Sequence, residues 1–205
     1  MAKLNDDRPL ILASTSPRRK MLLTEYGYDF TVDPPSDAAE CGVCSGETPP
    51  ELVIRLAKQK AADVAVRYDS AIILGCDTVA ECYGQVLGKP RDRDDARRML
   101  SLLRGKEHRV HSGLCLWLRP EDQVILEIDS TTLFMDNVTD QQLEEYLDTN
   151  LWEGKAGAFG YQDGWDWLKV THGSETNVVG LPMERLEKTI RQLDKLNSSW
   201  FPKPF

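Results

Sequence analysis

Hydroxyl groups and positive charge are concentrated where residues 14–20 lead into a predicted helix. Ser16 is a favoured N-cap residue, and Pro17 suits the first helical position. Three cations then occupy the first turn, where the helix dipole favours acids and each cation costs roughly 0.3–1 kcal/mol. Because stability alone does not favour this arrangement, the segment predicts a bound anion, and solvent-facing cations are the alternative. The residues assigned to this anion site are Ser14, Ser16, Arg18 and Arg19.

An acidic side chain follows a strongly apolar segment in the middle of the chain. The run Ala71–Cys76 predicts a buried strand, and Asp77 comes directly after it. Open α/β sheets bind their ligands at the carboxyl ends of strands. Asp77 is therefore a candidate magnesium ligand or a candidate general base for water, and a turn-capping aspartate is the alternative.

Three further lysines stand in settings that favour contact with an anion. Lys89 lies in a stiff Gly-Lys-Pro turn, and Lys155 lies between two glycines. Lys60 lies on the otherwise apolar face of a predicted helix, where a bare ammonium is costly unless it reaches water or an anion. Each lysine alone is typical of a solvated surface. Together with Arg18 and Arg19 they form a set of five cations, which suits a triphosphate.

The aromatic and imidazole side chains have simpler interpretations. Trp165 and Trp167 flank one residue and share a face if the segment is a strand, so we expect core packing, with base stacking as the alternative. His108 and His111 alternate with Val110 in a strand-like run. We expect these two histidines to lie on the surface rather than to bind a metal.

Cysteine usage favours reduced thiols. The chain has 5 cysteines, an odd number, and no secretory signal is visible before them. Cys41 and Cys44 have the spacing of half a zinc site or of a redox pair. A structural zinc site needs four ligands, and a redox pair is expected where a helix follows a strand. A zinc or redox module is therefore the weaker hypothesis.

Composition limits the classes of protein that fit this chain. Its 205 residues are 41% hydrophobic, which is ordinary for a globular protein, and no apolar run approaches the ~18 residues of a membrane span. The formal net charge of -8 argues against a nucleic acid polymer as partner. We expect a cytoplasmic protein with no membrane contact, in which a small cationic pocket binds one anionic ligand.

The elements that must position these side chains alternate along the chain in the manner of a mixed α/β fold. Strands are predicted at 9–13, 28–32, 71–76, 108–118 and 124–135, with a hairpin at 79–87. Helices are predicted at 16–26, 49–64, 92–103, 139–147 and 182–196. The Pro- and Gly-rich stretches 33–50 and 150–180 predict loops, the second with short strands. We expect one compact unit with two lobes around a cleft.

Taken together, these segments resemble the Maf family of nucleoside triphosphate pyrophosphatases. The matching stretches follow one order from about residue 10 to 195, namely Leu12–Arg19, Lys60-Ala61, Gly75–Val79, Gly88–Pro90, Lys155–Gln162 and Asn177–Pro182. The resemblance implies an α/β fold of the Maf/ITPase-like type, with a mixed sheet and flanking helices in an elongated two-lobed unit around a central cleft. It also implies a homodimer. The corresponding divisions are an N-terminal extension (1–8), the Maf-like domain (9–196) and a C-terminal tail (197–205).

The resemblance implies the reaction NTP + H2O → NMP + diphosphate with a divalent metal cation, for which we expect Mg²⁺. It implies that Asp77 accepts the proton. Asp77 and Glu40 are the residues assigned to the metal, and Glu40 stands alone where the family usually has an acidic pair near the first loop. Positions matching Arg18, Thr78 and Gln162 are associated with selection of the base. The Asp-Thr pair and this glutamine resemble the branch of the family that acts on dTTP and UTP.

Several positions depart from the family pattern. Leu151-Trp152 replaces the glutamate that often precedes the lysine motif, and His111-Ser112-Gly113 replaces the usual Thr-Gly ending. These departures leave the reaction type unchanged and bear on the preferred base. Two rival functions stay open beside the dTTP/UTP hypothesis. One is a pyrophosphatase for a modified or another canonical nucleotide, and the other is a nucleotide-binding regulator of cell division with little turnover.

Overall fold

The computed structural model describes residues 7–39 and 46–200, and within them one mixed sheet of seven strands carries helices on both faces. The strands are β1 (Leu10–Ala13), β2 (Thr31–Val32), β3 (Ala71–Cys82), β4 (Gln85–Leu87), β5 (Glu107–Arg119), β6 (Gln123–Met135) and β7 (Leu168–His172). The helices are α1 (Pro17–Glu25), α2 (Pro49–Ala65), α3 (Arg93–Leu103), α4 (Asp140–Asp148), α5 (Glu175–Val179) and α6 (Met183–Trp200). Short 3₁₀ turns occur at Asp37–Ala39 and Ala156–Ala158.

The strand order is β2-β1-β3-β5-β6-β7, with β4 paired to β3. Strand β1 runs parallel to β2 and β3, whereas β3, β5, β6 and β7 pair with one another antiparallel. The mixed α/β prediction is therefore confirmed. One local prediction was wrong, because β3 does not end before Asp77. The strand continues to Cys82, since its second half pairs with both β4 and β5.

One face of the β3–β5 pair carries two separate apolar cores. One core packs α1 and α6 against the sheet, and the other packs α3 and α4 against it. Thr78 and Ser112 stand between the cores. These two residues are partners in the strand register, and their hydroxyl oxygens lie 2.8 Å apart. A polar pair thus interrupts the period-two apolar pattern of both strands at the same level.

Helix α2 packs on the opposite face of the sheet, where it lies directly against two glycines of β3 and β5. A Cβ atom at Gly75 would lie 2.2 Å from the carbonyl oxygen of Ala57, and one at Gly113 would lie 2.3 Å from that of Val53. Only glycine permits this approach of helix backbone to strand backbone. The close packing brings Lys60, one helical turn after Ala57, next to β3.

The sheet has a gap along one edge of β3. Strand β1 pairs with β3 only as far as Gly75, and β4 pairs with it from Ala80 onwards. Residues 76–79 therefore have no strand partner on this edge within the described part of the chain. Side chains from both faces of β3 can reach the space beyond the end of β1, where α1 begins.

Candidate active site

A cleft of about 730 Å³ lies at this gap in the sheet. Its walls come from the β1–α1 connection, α2, β3, β5 and the segment 153–163. The cleft is lined by ten residues that the sequence analysis assigned to the site: Ser14, Ser16, Arg18, Arg19, Lys60, Asp77, Thr78, Lys89, Lys155 and Gln162. Glu40, the eleventh assigned residue, lies outside the described residues, as do Cys41 and Cys44.

The carboxylate of Asp77 is held by a buried ion pair. Lys60 Nζ donates to Asp77 Oδ1 at 2.7 Å, and the two side chains are 7% and 13% exposed. A carboxylate has two acceptor oxygens, so Asp77 keeps capacity for a further hydrogen bond toward the cleft. The sequence indicated that Lys60 must reach water or an anion, and the Asp77 carboxylate of β3 is that anion. The pair fixes the position of a carboxylate against one wall of the cleft.

Arg19 joins three segments around the cleft. Its Nε donates to the carbonyl oxygen of Gly180 at 2.9 Å, and its Nη1 donates to Ser14 Oγ at 3.0 Å. Its Nη2 donates to Thr78 Oγ1 at 3.3 Å. Arg19 is buried, so these bonds form away from bulk water. The residue brings positive charge to the cleft and also holds a serine and a threonine of the cleft wall in place.

The start of α1 has donors available for an anion. Ser16 occupies the N-cap position as predicted, but its side chain makes no capping hydrogen bond, and no acidic residue lies in the first turn. The backbone N–H of Ser16 instead donates to Ser14 Oγ at 3.2 Å. Burial and the adjacent charge of Arg19 lower the pKa of Arg18, against the opposing effect of Asp163. Two crowded guanidinium groups beside a helix N-terminus make this wall attractive to an anionic group.

Asp163 and Tyr146 are contributors that the sequence analysis missed. Lys155 Nζ forms an ion pair with Asp163 Oδ2, and the Tyr146 hydroxyl donates to the same oxygen at 3.3 Å. Asp163 directly follows Gln162, so its place one residue beyond a matched motif was the available signal. Lys89 and Gln162 are exposed at the rim, where solvent-facing side chains are free to contact a ligand.

Both strand histidines are buried, which corrects the expectation of a surface position. His108 is 5% exposed and lines the cleft, and His111 is 6% exposed on the other face of β5. Burial lowers the pKa of both imidazoles, and the nearby Glu81 carboxylate opposes this effect in each case. His111 Nδ1 lies 2.8 Å from Ser130 Oγ. The strand was predicted correctly, but the alternation was not, because His108 shares a face with Val110 while His111 lies on the opposite face. Both faces of this strand are covered.

The paired tryptophans belong to the core of the α3–α4 lobe. Trp165 and Trp167 lie in the turn before β7 rather than in a strand, and their ring centroids are 4.6 Å apart. Trp167 also stacks with Phe159 at 5.7 Å. Neither tryptophan lines the cleft. Core packing is therefore the role these rings have.

Among the described residues of the cleft, Asp77 is a carboxylate that could take part in holding a divalent cation. The described residues contain no group of three or more His, Cys, Asp or Glu side chains arranged to hold a metal. Mg²⁺ is commonly held by one or two carboxylates and by phosphate oxygens, so the Asp77 carboxylate provides the chemistry that such an ion needs.

The three described cysteines are free, buried thiols. They are Cys76, Cys82 and Cys115. Burial raises the pKa of each thiol, to about 12 for Cys115, so these side chains are poor nucleophiles at neutral pH.

None of the described helices has the length and apolarity that a membrane span requires.

Known proteins are similar to this chain in sequence and in fold. The model of a family described as Maf-like protein matches residues 9–193. A dTTP/UTP pyrophosphatase of Rhodopirellula baltica is 56% identical over 187 residues, covering 91% of this chain and 82% of that protein. A dTTP/UTP pyrophosphatase of Geotalea uraniireducens is 38% identical, covering 90% of this chain and 94% of that protein. The solved structure of a HAM1 protein from Coxiella burnetii has a similar fold, with a TM-score of 0.50 at 13% identity, and covers 90% of this chain and 99% of that chain.

Proposed function

The chain belongs to the Maf-like protein family, and from this premise we propose that it is a nucleoside triphosphate pyrophosphatase that hydrolyses dTTP and UTP. The observation that carries the proposal is the convergence of a lysine-held carboxylate and a set of cations on one cleft. The similarity to relatives named dTTP/UTP pyrophosphatase supports the choice of substrates.

The cationic residues neutralise the triphosphate. The whole chain has a formal net charge of -8, yet the cleft lining has five positively charged side chains against three acidic ones, Asp77, Glu153 and Asp163. Lys60 and Lys155 are paired with Asp77 and Asp163, and the other cations are Arg18, Arg19 and Lys89. Positive groups in a cleft with low-dielectric walls attract anionic ligands more strongly than the same groups on an open surface. Ser14, Ser16 and the N–H groups at the start of α1 hold a phosphoryl group by hydrogen bonds.

Asp77 acts on water. Its carboxylate, fixed by Lys60, accepts a hydrogen bond from a water molecule and takes its proton as the water oxygen attacks the α-phosphorus. The new bond joins this oxygen to the α-phosphorus, and the bond from the α-phosphorus to the α–β bridging oxygen breaks. Diphosphate leaves with the bonding electrons, and the nearby cations stabilise its growing charge. Asp77 would take part in holding a magnesium ion, which would supply further neutralisation of that charge.

Base selection falls to residues at the cleft wall and rim. Gln162 offers an amide that can both donate and accept, and it is exposed to an entering ligand. The hydroxyl of Thr78 has three partners, namely Arg19, Ser112 and the carbonyl oxygen of Gly180, which fix the position of this side chain in the cleft wall. Arg18 lies beside both the phosphate end and the rim segment, since its Nη2 is 3.4 Å from the carbonyl oxygen of Gly154.

The reaction is tested with a panel of dTTP, UTP, CTP and purine triphosphates, with and without Mg²⁺, by separate assays for diphosphate and orthophosphate. We expect diphosphate with a preference for dTTP and UTP. Release of orthophosphate would contradict the proposed bond cleavage, and binding without turnover would favour a nucleotide-binding regulator. A different preferred base would keep the reaction and change the substrate.

The role of Asp77 is tested by Asp77→Asn. An amide does not accept the water proton, so we expect kcat to fall by about 10²–10⁴-fold, the usual contribution of a general base. The Kd for UTP should stay within several-fold of the unmodified protein. Asp166→Asn is the matched control, because Asp166 is exposed and does not line the cleft. Undiminished turnover in Asp77→Asn would remove Asp77 from the mechanism.

A further inference from the structure

The cleft has an apolar end beyond the Thr78–Ser112 pair. The side chains lining this end are mostly aliphatic or aromatic: Ala80, Leu103, Val110, Phe159, Leu168 and Val178. Such walls suit the faces of a nucleobase and offer nothing to a phosphate. Most of these residues belong to the core of the α3–α4 lobe. A nucleotide bound by its phosphates at the cationic walls can therefore place its base here.

His108 is the polar side chain that β5 contributes to this end, and the Lys155–Asp163 ion pair lies near Phe159 at its edge. Along β5, Ser112, Val110 and His108 point to the same face, and His108 lies about 13 Å from Ser112 at the usual rise per residue. His108 is 5% exposed, and its Nδ1 has no hydrogen-bond partner within the described part of the chain. Buried polar atoms in native proteins are rarely left without a partner, so each exception needs an explanation. One explanation is a ligand that forms the missing hydrogen bond with this ring.

The imidazole has the right chemical state for a neutral hydrogen bond. Burial is the main effect on the pKa of His108 and lowers it, so the ring is neutral at pH 7. A neutral imidazole has one acceptor nitrogen and one donor nitrogen. Nδ1 is buried and the ring has a hydrogen bond with the Lys106 backbone, so a change of χ2, which has a broad two-fold profile, accompanies contact of Nδ1 with a base.

We propose that His108 accepts a hydrogen bond from N3–H of a uracil or thymine base and so contributes, together with Arg18, Thr78 and Gln162, to specificity for these bases. Uracil and thymine share this N3–H group, whereas N3 of cytosine is an acceptor with no hydrogen. A single polar group in an apolar pocket discriminates strongly between ligands that do and do not pair with it. The inference rests on the proposed function and names a residue that recognises the base.

The first test compares UTP with N3-methyl-UTP, in which a methyl group replaces the hydrogen. For the unmodified protein we expect kcat/KM to be about 10–100-fold lower with the methylated substrate, as for the loss of a buried hydrogen bond. His108→Phe keeps a ring but removes both nitrogens. In this variant we expect kcat/KM for UTP to fall by a similar factor, and the two substrates to agree within about 3-fold.

The control is His172→Phe, the same substitution at an exposed histidine of β7 that does not line the cleft. It should keep the preference of the unmodified protein. Equal use of the two substrates by the unmodified protein, or an unchanged preference in His108→Phe, would overturn the assignment. Absence of diphosphate release from UTP by the unmodified protein would instead contradict the proposed function itself.

A second test needs no substitution in the folded core. The chain has 3 histidines, so the imidazole ¹⁵N resonances of the labelled protein are few enough to follow individually. We expect UMP to shift the ring nitrogens of His108, and N3-methyl-UMP to cause a much smaller shift at the same saturation. UMP binding that leaves the His108 ring unaffected would overturn the inference, even if His108→Phe does not fold.

Discussion

Arg19 shows how one side chain can serve both the charge and the geometry of the cleft. Its three hydrogen bonds reach the carbonyl oxygen of Gly180, Ser14 Oγ and Thr78 Oγ1. A lysine keeps the positive charge, but its compact ammonium group lacks the planar fork that reaches three separated acceptors. The two functions of Arg19 can therefore be separated by a substitution that preserves charge.

We expect Arg19→Lys to lower the free energy of unfolding by about 2–3 kcal/mol, because at least one buried acceptor loses its donor. The loss of order at Ser14 and Thr78 should also reduce kcat/KM. Urea unfolding measures the first effect and initial rates measure the second. Arg18→Lys is the control, since Arg18 makes one long bond to Gly154, and it should affect KM more than stability. Full stability in Arg19→Lys would show that these bonds do not hold the cleft wall together.

Local sequence was informative about Arg18 and Arg19 because cations in a first helical turn conflict with the helix dipole, and such conflicts mark function. His108 and Asp163 carried no comparable conflict. Alternation in β5 indicates that His108 lies on one face, but it does not indicate whether that face is covered. Its burial arises in the folded molecule, where Ala80 and Phe159, both distant from it in sequence, line the same part of the cleft. The burial of such a residue is found only from the folded structure.

Among the elements, α2 has the most direct influence on the reacting groups. It lies on Gly75 and Gly113 and carries Lys60, the partner of Asp77. Adding a methyl group at Gly75 would place it 2.2 Å from the carbonyl oxygen of Ala57. Backbone atoms cannot yield to such an overlap without movement of the whole helix. The helix must then shift relative to β3, and Lys60 shifts with it.

Gly75→Ala is therefore expected to lower the free energy of unfolding by about 1–3 kcal/mol through overpacking. It should also lower kcat, since the Lys60–Asp77 pair is displaced. Gly88→Ala is the matched control for stability, because nothing lies within 4 Å of a Cβ at Gly88. Unfolding curves and initial rates of the two variants make the comparison. Equal stability of Gly75→Ala and the unmodified protein would mean that α2 is not constrained as the packing indicates.

The ends of helices were easier to predict than the ends of strands. Thr139 caps α4 as expected, with its Oγ1 accepting from the N–H of Gln142 at 3.2 Å. Such signals are local, since the groups involved are three residues apart. Asp77 gave a misleading signal for the end of β3. A polar residue ends a strand or continues it depending on its partners, and β5 lies more than thirty residues away in the chain.

At the scale of the whole molecule, the cleft exists because two apolar cores share one sheet face without merging. Thr78 and Ser112 separate them, and Arg19 donates to Thr78 at this boundary. The sequence predicted two lobes around a cleft through a family resemblance. The order of strands, which places this polar pair between the cores, follows from pairing between distant segments and is not visible in local patterns.

A nucleotide that contacts both sides of this boundary should stabilise the molecule. For Asp77→Asn with Mg²⁺ and UTP at 100 times its Kd, linkage predicts a gain of about 2.7 kcal/mol, or roughly 5–10 °C in Tm for a chain of this length. Because five cations attract the phosphates, raising the salt from about 50 to 500 mM at fixed UTP should reduce the gain. Thermal unfolding with UTP, UMP and uridine at the same concentration measures the contributions of the phosphates and of the base to this gain. The triphosphate should give the largest shift and uridine the smallest. An equal shift with uridine would mean that the base alone drives binding, and that the cluster of positive side chains does not act on the phosphates.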